Sequence, residues 1–558
     1  MSMNGAQITV KSLEKLGVDV VFGIPGATVI PLYDAFYDSK INHILVRHEQ
    51  AAAHAADGYS RAGNKTGLCV ATAGPGATNL ITGIATACQD SSPLVAITGQ
   101  VGTQTIGTDA FQEAHILGIT LPIVKHSFQI RCIEEIPQAI AGAFHIASTG
   151  RPGPVLVDIP VDVQKTEGEF QWPPQLNFPG YNPETKSDIS NLSEAAALIH
   201  SAERPVIIAG NGVILSNASV NLTALAIELE IPVVTSLLGK GAFPESHPLS
   251  LGMAGMHGRP VANRALSGAD LVIAIGTRFS DRSTGKRDQF APKAKVIHLD
   301  LDPAEIDKSI EADVCLLGNA PTLMDAIRIA AKGTPCVNHK EWLAELAIIS
   351  NEEPLLREKS QQDIKPWQIM SALYDVTAGE AVVTTEVGQH QMWAALYYKT
   401  DHARRFLTSG GLGTMGFGFP AAIGAHFARP DLPIFCIAGD GSFMMNIQEL
   451  DTCARYHIPV KVLLLDNGCL GMVRQWQELF YNERYSNTLY SCQPDFVKIA
   501  QGMGVTAFSI KKPTEVHAAI EKAIATPGPV LVHISIPEGE KVFPMTPAGA
   551  SLDEMILA

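Results

Sequence analysis

Ile434-Phe435-Cys436-Ile437-Ala438-Gly439-Asp440-Gly441-Ser442 is an apolar run that stops at a glycine, a carboxylate, a second glycine and a hydroxyl. The apolar part reads as a buried strand, and the end reads as a turn leading into a helix. A second apolar run, 460–465, leads to Asn467-Gly468-Cys469, with Asn467 lying 27 residues after Asp440. That spacing can bring one carboxylate and one amide oxygen to the same edge of a parallel sheet. Two hard oxygens there suit Mg²⁺, which completes its octahedron with phosphate oxygens and water. The glycines let the backbone approach a diphosphate closely. The stretch therefore predicts a metal–diphosphate cofactor.

Working outward, the 558 residues correspond to three or four domains, and 46% of them are hydrophobic. A net charge of −15 argues against a nucleic-acid partner. No apolar run reaches the roughly 18 residues of a membrane span. The chain starts without a basic-then-apolar leader and moves into a helix-like segment at 8–16. Nine cysteines without a C-x-x-C pair point to a cytoplasmic protein with no zinc site or disulfide framework.

Short runs such as 68–72, 94–98 and 155–158 are apolar throughout rather than alternating. That pattern predicts parallel strands covered on both faces. Polar, Pro-containing stretches at 164–186 and 351–365 read as linkers. The expected fold is α/β, with three doubly wound parallel-sheet domains at 1–165, 187–345 and 366–540, and a tail at 541–558. Pro152-Gly153-Pro154-Val155-Leu156-Val157 recurs as Pro527-Gly528-Pro529-Val530-Leu531-Val532. Each copy closes its domain, so the first and third domains are expected to be built alike.

Four further motifs carry chemistry. Arg47-His48-Glu49-Gln50 follows a strand expected at 43–46 and leads into an Ala-rich helix expected at 51–61. Glu49 is either a carboxylate of tuned proton affinity or a plain helix N-terminal acid. Gly74-Pro75-Gly76-Ala77-Thr78-Asn79 is a glycine-rich turn onto a helix. Thr384-Thr385-Glu386-Val387-Gly388-Gln389-His390 and the glycine-rich loop 410–418, with Met415, could hold a planar ligand. Core packing for Met415 and a hydrogen-bonded structural role for His390 are the plain alternatives. In the middle, Ala209-Gly210-Asn211-Gly212, Gly255-Met256-His257-Gly258, Gly276-Thr277-Arg278-Phe279 and His298-Leu299-Asp300 resemble a dinucleotide crevice without a full G-x-G-x-x-G.

Glu49, the Gly439-Asp440-Gly441 and Asn467 pair, and the three-part layout resemble the thiamine diphosphate enzymes. Within them the chain resembles the acetohydroxyacid synthase (acetolactate synthase) catalytic subunits over nearly its whole length. The resemblance is carried by Gly107-Thr108-Asp109-Ala110-Phe111-Gln112-Glu113, Thr149-Gly150-Arg151-Pro152-Gly153-Pro154, Gly471-Met472-Val473-Arg474-Gln475-Trp476 and the tail around Phe543-Pro544-Met545.

The resemblance implies pyrimidine, central FAD-binding and diphosphate domains in that order. Glu49 would hydrogen-bond the pyrimidine N1′ and promote the imino tautomer. Met415 would be the wedge under the bent cofactor, with the Gly413 backbone orienting the aminopyrimidine. Asp440 and Asn467 would bind Mg²⁺ by side chains and Cys469 by its carbonyl. Val387, Gly388, Gln389, His390, Gly441 and Ser442 would line the diphosphate end. Pro25, Gly26, Gly439, Leu470, Gly471 and Met472 would complete the thiamine site. Gln112 and Lys125 would lie near the substrate entrance, and Trp476 would favour the longer acceptor.

The resemblance also implies a flavin site. Its expected residues are Arg151, Gly210, Gly212, Ser236, Leu237, Gly255, Met256 and His257, with Gly276, Thr277, Arg278, Arg282, Asp300, Leu301 and Asn319. Pyruvate and 2-ketobutyrate would be the substrates. The unit would be a homodimer or a dimer of dimers with shared active sites, with a regulatory small subunit in some members.

Three positions depart from the family pattern. Ala27 stands where glycine is usual, Gly102 where proline is usual, and Ser280 where aspartate is more common. An FAD-independent catabolic acetolactate synthase, a flavin-linked pyruvate oxidase and a non-catalytic nucleotide-binding scaffold are the competing readings.

Overall fold

The computed structural model describes residues 2–183, 186–332, 338–353 and 362–557. It contains three parallel sheets of six strands each. The central strands are buried because helices cover both faces, whereas edge strands such as His126–Gln129 are partly exposed. Leu94–Gln100, Pro154–Pro160 and Ile434–Gly439 are buried at every position.

In the first sheet the strands, taken in chain order, lie 2-1-3-4-6-5, and the third sheet has the same order. The Pro-Gly-Pro echo falls on Pro154–Pro160 and Val530–Ser535, the sixth strand of each sheet. The expectation that these two domains are built alike is met strand for strand. The middle sheet has the order 3-2-1-4-5-6, which reverses direction between its first strand, Pro205–Ala209, and its fourth, Leu271–Ile275. A crevice opens at such a reversal.

The first and third domains pack through the Ala-rich helix Glu49–Gly63 and the helix Gly418–Ala428. Small residues let the backbones meet. A Cβ on Gly424 would overlap the Ala55 carbonyl and lie 2.7 Å from the Tyr59 nitrogen. Buried His54 stands edge-on to Phe417 across this seam, with ring centroids 5.4 Å apart.

Several boundaries shift from the sequence-based expectation. The first helix is Gly5–Lys15, capped by Asn4. The strand before Glu49 is Asn42–Leu45, and the following helix starts at Glu49 itself because His48 caps it. Part of the expected linker 164–186 is ordered: Glu167–Glu169 pairs antiparallel with Ser2–Asn4. The rest of that expectation includes residues 184 and 185, which lie outside the described residues. The second expected linker, 351–365, includes 354–361, which also lie outside them. The tail returns to the middle domain, where Thr546 donates its N–H to the Met256 carbonyl (2.7 Å) and Lys286 donates to Ala550 (2.9 Å). Among the described residues no helix is long and apolar enough to cross a membrane.

Candidate active site

Two neighbouring strands of the third sheet, Ile434–Gly439 and Lys461–Asp466, end side by side, with Gly439 opposite Leu465. Their next residues bring Asp440 and Asn467 to one small pocket. Asp440 accepts from the Gly441 N–H (2.8 Å) through Oδ1. Its Oδ2 accepts from the Gly468 N–H (3.0 Å) and from the Gln493 amide (2.5 Å). Burial and the nearby Asp466 push the Asp440 carboxyl well above the usual range. A cation would reverse that shift.

Asn467 donates its Nδ2 to Gln389 Oε1 (3.0 Å), which turns its amide oxygen away from that partner. Around Cys469 the backbone bonds use the Gly468 carbonyl and the Leu470 N–H, leaving the Cys469 carbonyl outside that pairing. Among the described residues no cluster of three His, Cys, Asp or Glu side chains could hold a metal. One carboxylate, one amide and one carbonyl nevertheless fit Mg²⁺, which takes several of its ligands from phosphate and water.

The diphosphate fit rests on two observations. His390 lines the pocket, and its buried Nε2 has no partner among the described residues. Burial keeps this imidazole neutral, with its pKa lowered to about 3. Gly441 also leaves a notch: a Cβ there would lie 2.8 Å from Leu470 and overlap the Tyr490 hydroxyl.

Met415 lines the same pocket at the tip of the glycine-rich loop. Gly413 (φ +67°) and Gly416 (φ +88°) adopt left-handed conformations that other residues rarely do. Glu386 fixes this turn. Its buried carboxylate accepts from the Gly416 N–H (2.7 Å), the Phe419 N–H (2.9 Å) and the Ser442 hydroxyl (2.7 Å). Glu386 has no expected role in the 384–390 motif that contains it. A carboxylate at the end of an apolar strand was the available signal.

A cavity of about 1510 Å³ runs from the middle domain to this pocket. Single-ligand pockets run from about 300 to 1,000 Å³, so it has room for a dinucleotide and a channel. At the sheet reversal, the turn around Gly210 and Gly212 rests on Gly276, where a Cβ on Gly212 would lie 2.6 Å from the Gly276 Cα. Ser236, Leu237, Met256, His257 and Thr277 line the cavity. So do Arg278, Arg282, Asp300, Leu301 and Asn319. Arg151 also lines it, and its Nη1 donates to Asp302 (3.0 Å) and Glu305 (2.5 Å). Burial pushes the Asp300 carboxyl up to about 6. Gly255 lies behind the wall, where its φ of +118° shapes the turn.

Val387, Gly388, Met472 and Val473 line both the cavity and the small pocket, so the two are continuous. Gly413 faces the cavity, and Trp476 stands on its wall from the helix Gly471–Phe480, edge-on to Phe480.

The first domain contributes a separate edge. Glu49 is 9% exposed, and its Oε2 accepts from the Asn79 amide (2.9 Å). A Cβ on Gly76 would lie 3.2 Å from its Oε1, so the glycine keeps room beside the carboxylate. Gly26, next to Pro25, packs tightly on Thr72, and the Gln112 backbone packs on Gly74. Glu49, Pro25, Gly26 and Gln112 line neither the cavity nor the pocket. Phe111, Leu121 and Ile30 on this domain, and Leu412, Met444 and Met445 on the third, are exposed.

Lys125 also stands apart from the cavity. Its amino group donates to the Ile146 (2.5 Å) and Thr149 (2.7 Å) carbonyls at the end of the helix Ile136–Ser148. Burial lowers its pKa to about 8.

Three family models match the chain: the N-terminal TPP binding domain of thiamine pyrophosphate enzymes over residues 3–119, the central domain over 192–327 and the C-terminal TPP binding domain over 386–534. The chain is 48% identical to a probable acetolactate synthase large subunit of Methanocaldococcus jannaschii, covering 99% of this chain and 95% of that protein. It is 48% identical to the acetolactate synthase large subunit of Corynebacterium glutamicum, covering 98% and 89%. It is 46% identical to the acetolactate synthase isozyme 2 large subunit of Escherichia coli, covering 99% of both.

Proposed function

The chain belongs to the acetolactate synthase large subunits of the thiamine pyrophosphate enzymes, and from that premise we propose how its residues divide the work. The reaction joins two 2-ketoacids with loss of carbon dioxide. Two pyruvates give 2-acetolactate; pyruvate with 2-ketobutyrate gives 2-aceto-2-hydroxybutyrate. Thiamine diphosphate, when bound, supplies a carbon nucleophile and an electron sink for the pair left by the departing carboxylate.

Asp440, Asn467 and the Cys469 carbonyl would hold Mg²⁺ against the diphosphate, and His390 and Ser442 would flank it. Glu386 ties down the 409–417 loop, and Met415 and the Gly413 backbone would hold and orient the thiamine group. Glu49 would exchange a proton with the pyrimidine ring across a subunit boundary. The open first-domain edge and the exposed apolar side chains on both domains support a shared site in at least a homodimer.

The glycine turns of the middle domain, with Arg151, would hold FAD. Trp476 would form a wall against the acceptor, where one extra methyl is worth roughly 1–3 kcal/mol. Because its relatives are large subunits, a small regulatory subunit is the expected partner. The enzyme would work in the cytoplasm, in keeping with its free cysteines among the described residues.

The observation that carries this reading is the continuity of the Asp440–Asn467 pocket with the dinucleotide-sized crevice, with Trp476 on the shared wall. Product analysis with pyruvate, with and without 2-ketobutyrate, in the presence of Mg²⁺, thiamine diphosphate and FAD tests it. Both acetohydroxyacids are expected. Oxygen-dependent acetate formation without acetolactate would replace this reading with an oxidase.

A further inference from the structure

Residues 89–92 of the first domain reach both other domains. Asp90 is buried. Its Oδ1 accepts from the Gly411 N–H (2.6 Å), and its Oδ2 accepts from the Gly410 N–H (3.1 Å) and from Arg61 Nη2 (2.7 Å). Its backbone carbonyl accepts from the Asn211 amide (2.9 Å), in the glycine turn of the middle domain. Arg61 is itself fixed by Asp57 and Ser92 and donates to the Thr408 carbonyl (2.7 Å).

The loop that carries Gly413 and Met415 is thus tied at both ends. Glu386 holds its far end from within the third domain. Asp90 holds its near end from the first domain, while Leu238 of the middle domain presses on Gly410, where a Cβ would lie 2.6 Å from the leucine Cγ.

We propose that Asp90 is a positioning residue that couples the flavin-side turn at 210–212 to the 409–416 loop, so that a ligand ordering one orders the other. The inference rests on the reading above, in which the crevice takes FAD and the third-domain pocket takes thiamine diphosphate. A dinucleotide seated on the turn fixes Asn211, and Asn211 fixes the Asp90 peptide. The Asp90 carboxylate then fixes two consecutive N–H groups of the loop through charge-assisted bonds. The second ligand meets a loop already ordered and loses less conformational freedom on binding. Coupling is reciprocal, so thiamine diphosphate must tighten FAD by the same factor.

The test measures FAD affinity by flavin fluorescence on the full chain, with and without thiamine diphosphate and Mg²⁺. Wild type is expected to bind FAD about tenfold tighter when thiamine diphosphate is present. In Asp90→Asn, which presents an NH₂ to Arg61 or the loop, that ratio falls to about one, and kcat falls while the KM for pyruvate stays within about twofold. Asn211→Ala cuts only the flavin-side tie. It is expected to lose the coupling while keeping wild-type affinity for thiamine diphosphate measured without FAD, and it covers the case in which Asp90→Asn does not fold. The proposal is overturned if wild type shows no coupling. It is equally overturned if either variant keeps the wild-type ratio, even with both affinities and the melting temperature lowered in parallel. Coupled binding without acetolactate formation would remove the assigned reaction and leave the role of Asp90 standing. Failure of wild type to bind FAD would overturn the coupling and the flavin reading of the crevice, and would leave acetolactate formation standing on its own assay.

Discussion

In the first sheet, the strand Asn42–Leu45 delivers Glu49, and the turn after Gly67–Ala71 delivers Gly76 and Asn79 beside it. In the third sheet, Ile434–Gly439 and Lys461–Asp466 deliver Asp440 and Asn467. The strand order is the same in both, but the cargo at the C-terminal edge differs. One edge presents a carboxylate that sits outside the cavity; the other closes over a pocket continuous with it. Topology supplies the edge, and a few turn residues decide which side chains it presents.

Breaking either edge is expected to have the largest effect. Asp440→Ala should lower kcat by about a thousandfold by removing the proposed charged metal ligand. Glu49→Gln should lower it by about a hundredfold or more by removing the proton-exchanging group. Circular dichroism should show both variants folded; near-normal acetolactate formation by either would erase the assigned asymmetry.

Mixing and reassembling those two inactive variants sharpens the comparison. If each site takes one edge from each subunit, hybrid dimers contain one intact site, and about a quarter of wild-type activity should return. No return would place both edges of a site in one chain.

Trp476→Leu should lower the preference for 2-ketobutyrate over pyruvate by about tenfold, read as the product ratio with both acceptors present.

Gly424→Ala tests the intrachain seam between the same two domains. The added methyl meets the Ala55 backbone, and overpacking of this kind costs about 1–3 kcal/mol, which should appear as a lower melting temperature.

At neutral pH the smallest effect is at His54, whose contribution appears only on acidification. Burial lowers its pKa from 6.5 to about 3. The unfolded chain therefore binds a proton that the folded chain refuses, and stability falls as pH drops from about 6.5 toward 3. His54→Gln should flatten that part of the stability profile, whereas an unchanged slope would assign acid sensitivity to other groups.

Much of this was legible in the chain itself. Continuous apolar runs identified parallel strands, and the Pro-Gly-Pro echo identified the paired domains, because each signal depends on residues close together in sequence. A carboxylate or amide just past the end of an apolar strand marked Glu49, Asp440 and Asn467 for the same reason. Lys125 was less legible, because the two carbonyls its amino group closes lie 21 and 24 residues along the chain.

The sequence by itself determined the strand edges and the donor atoms each edge offers. Only the tertiary structure decided how those edges are held. Asp90 meets Gly410 and Gly411 some 320 residues away, Glu386 meets Gly416 30 residues away, and the middle-domain crevice meets the Asp440–Asn467 pocket. Such contacts leave no periodic or local trace. They exist because buried carboxylates must find donors, and in this fold the donors lie on the backbone of a loop from another part of the chain.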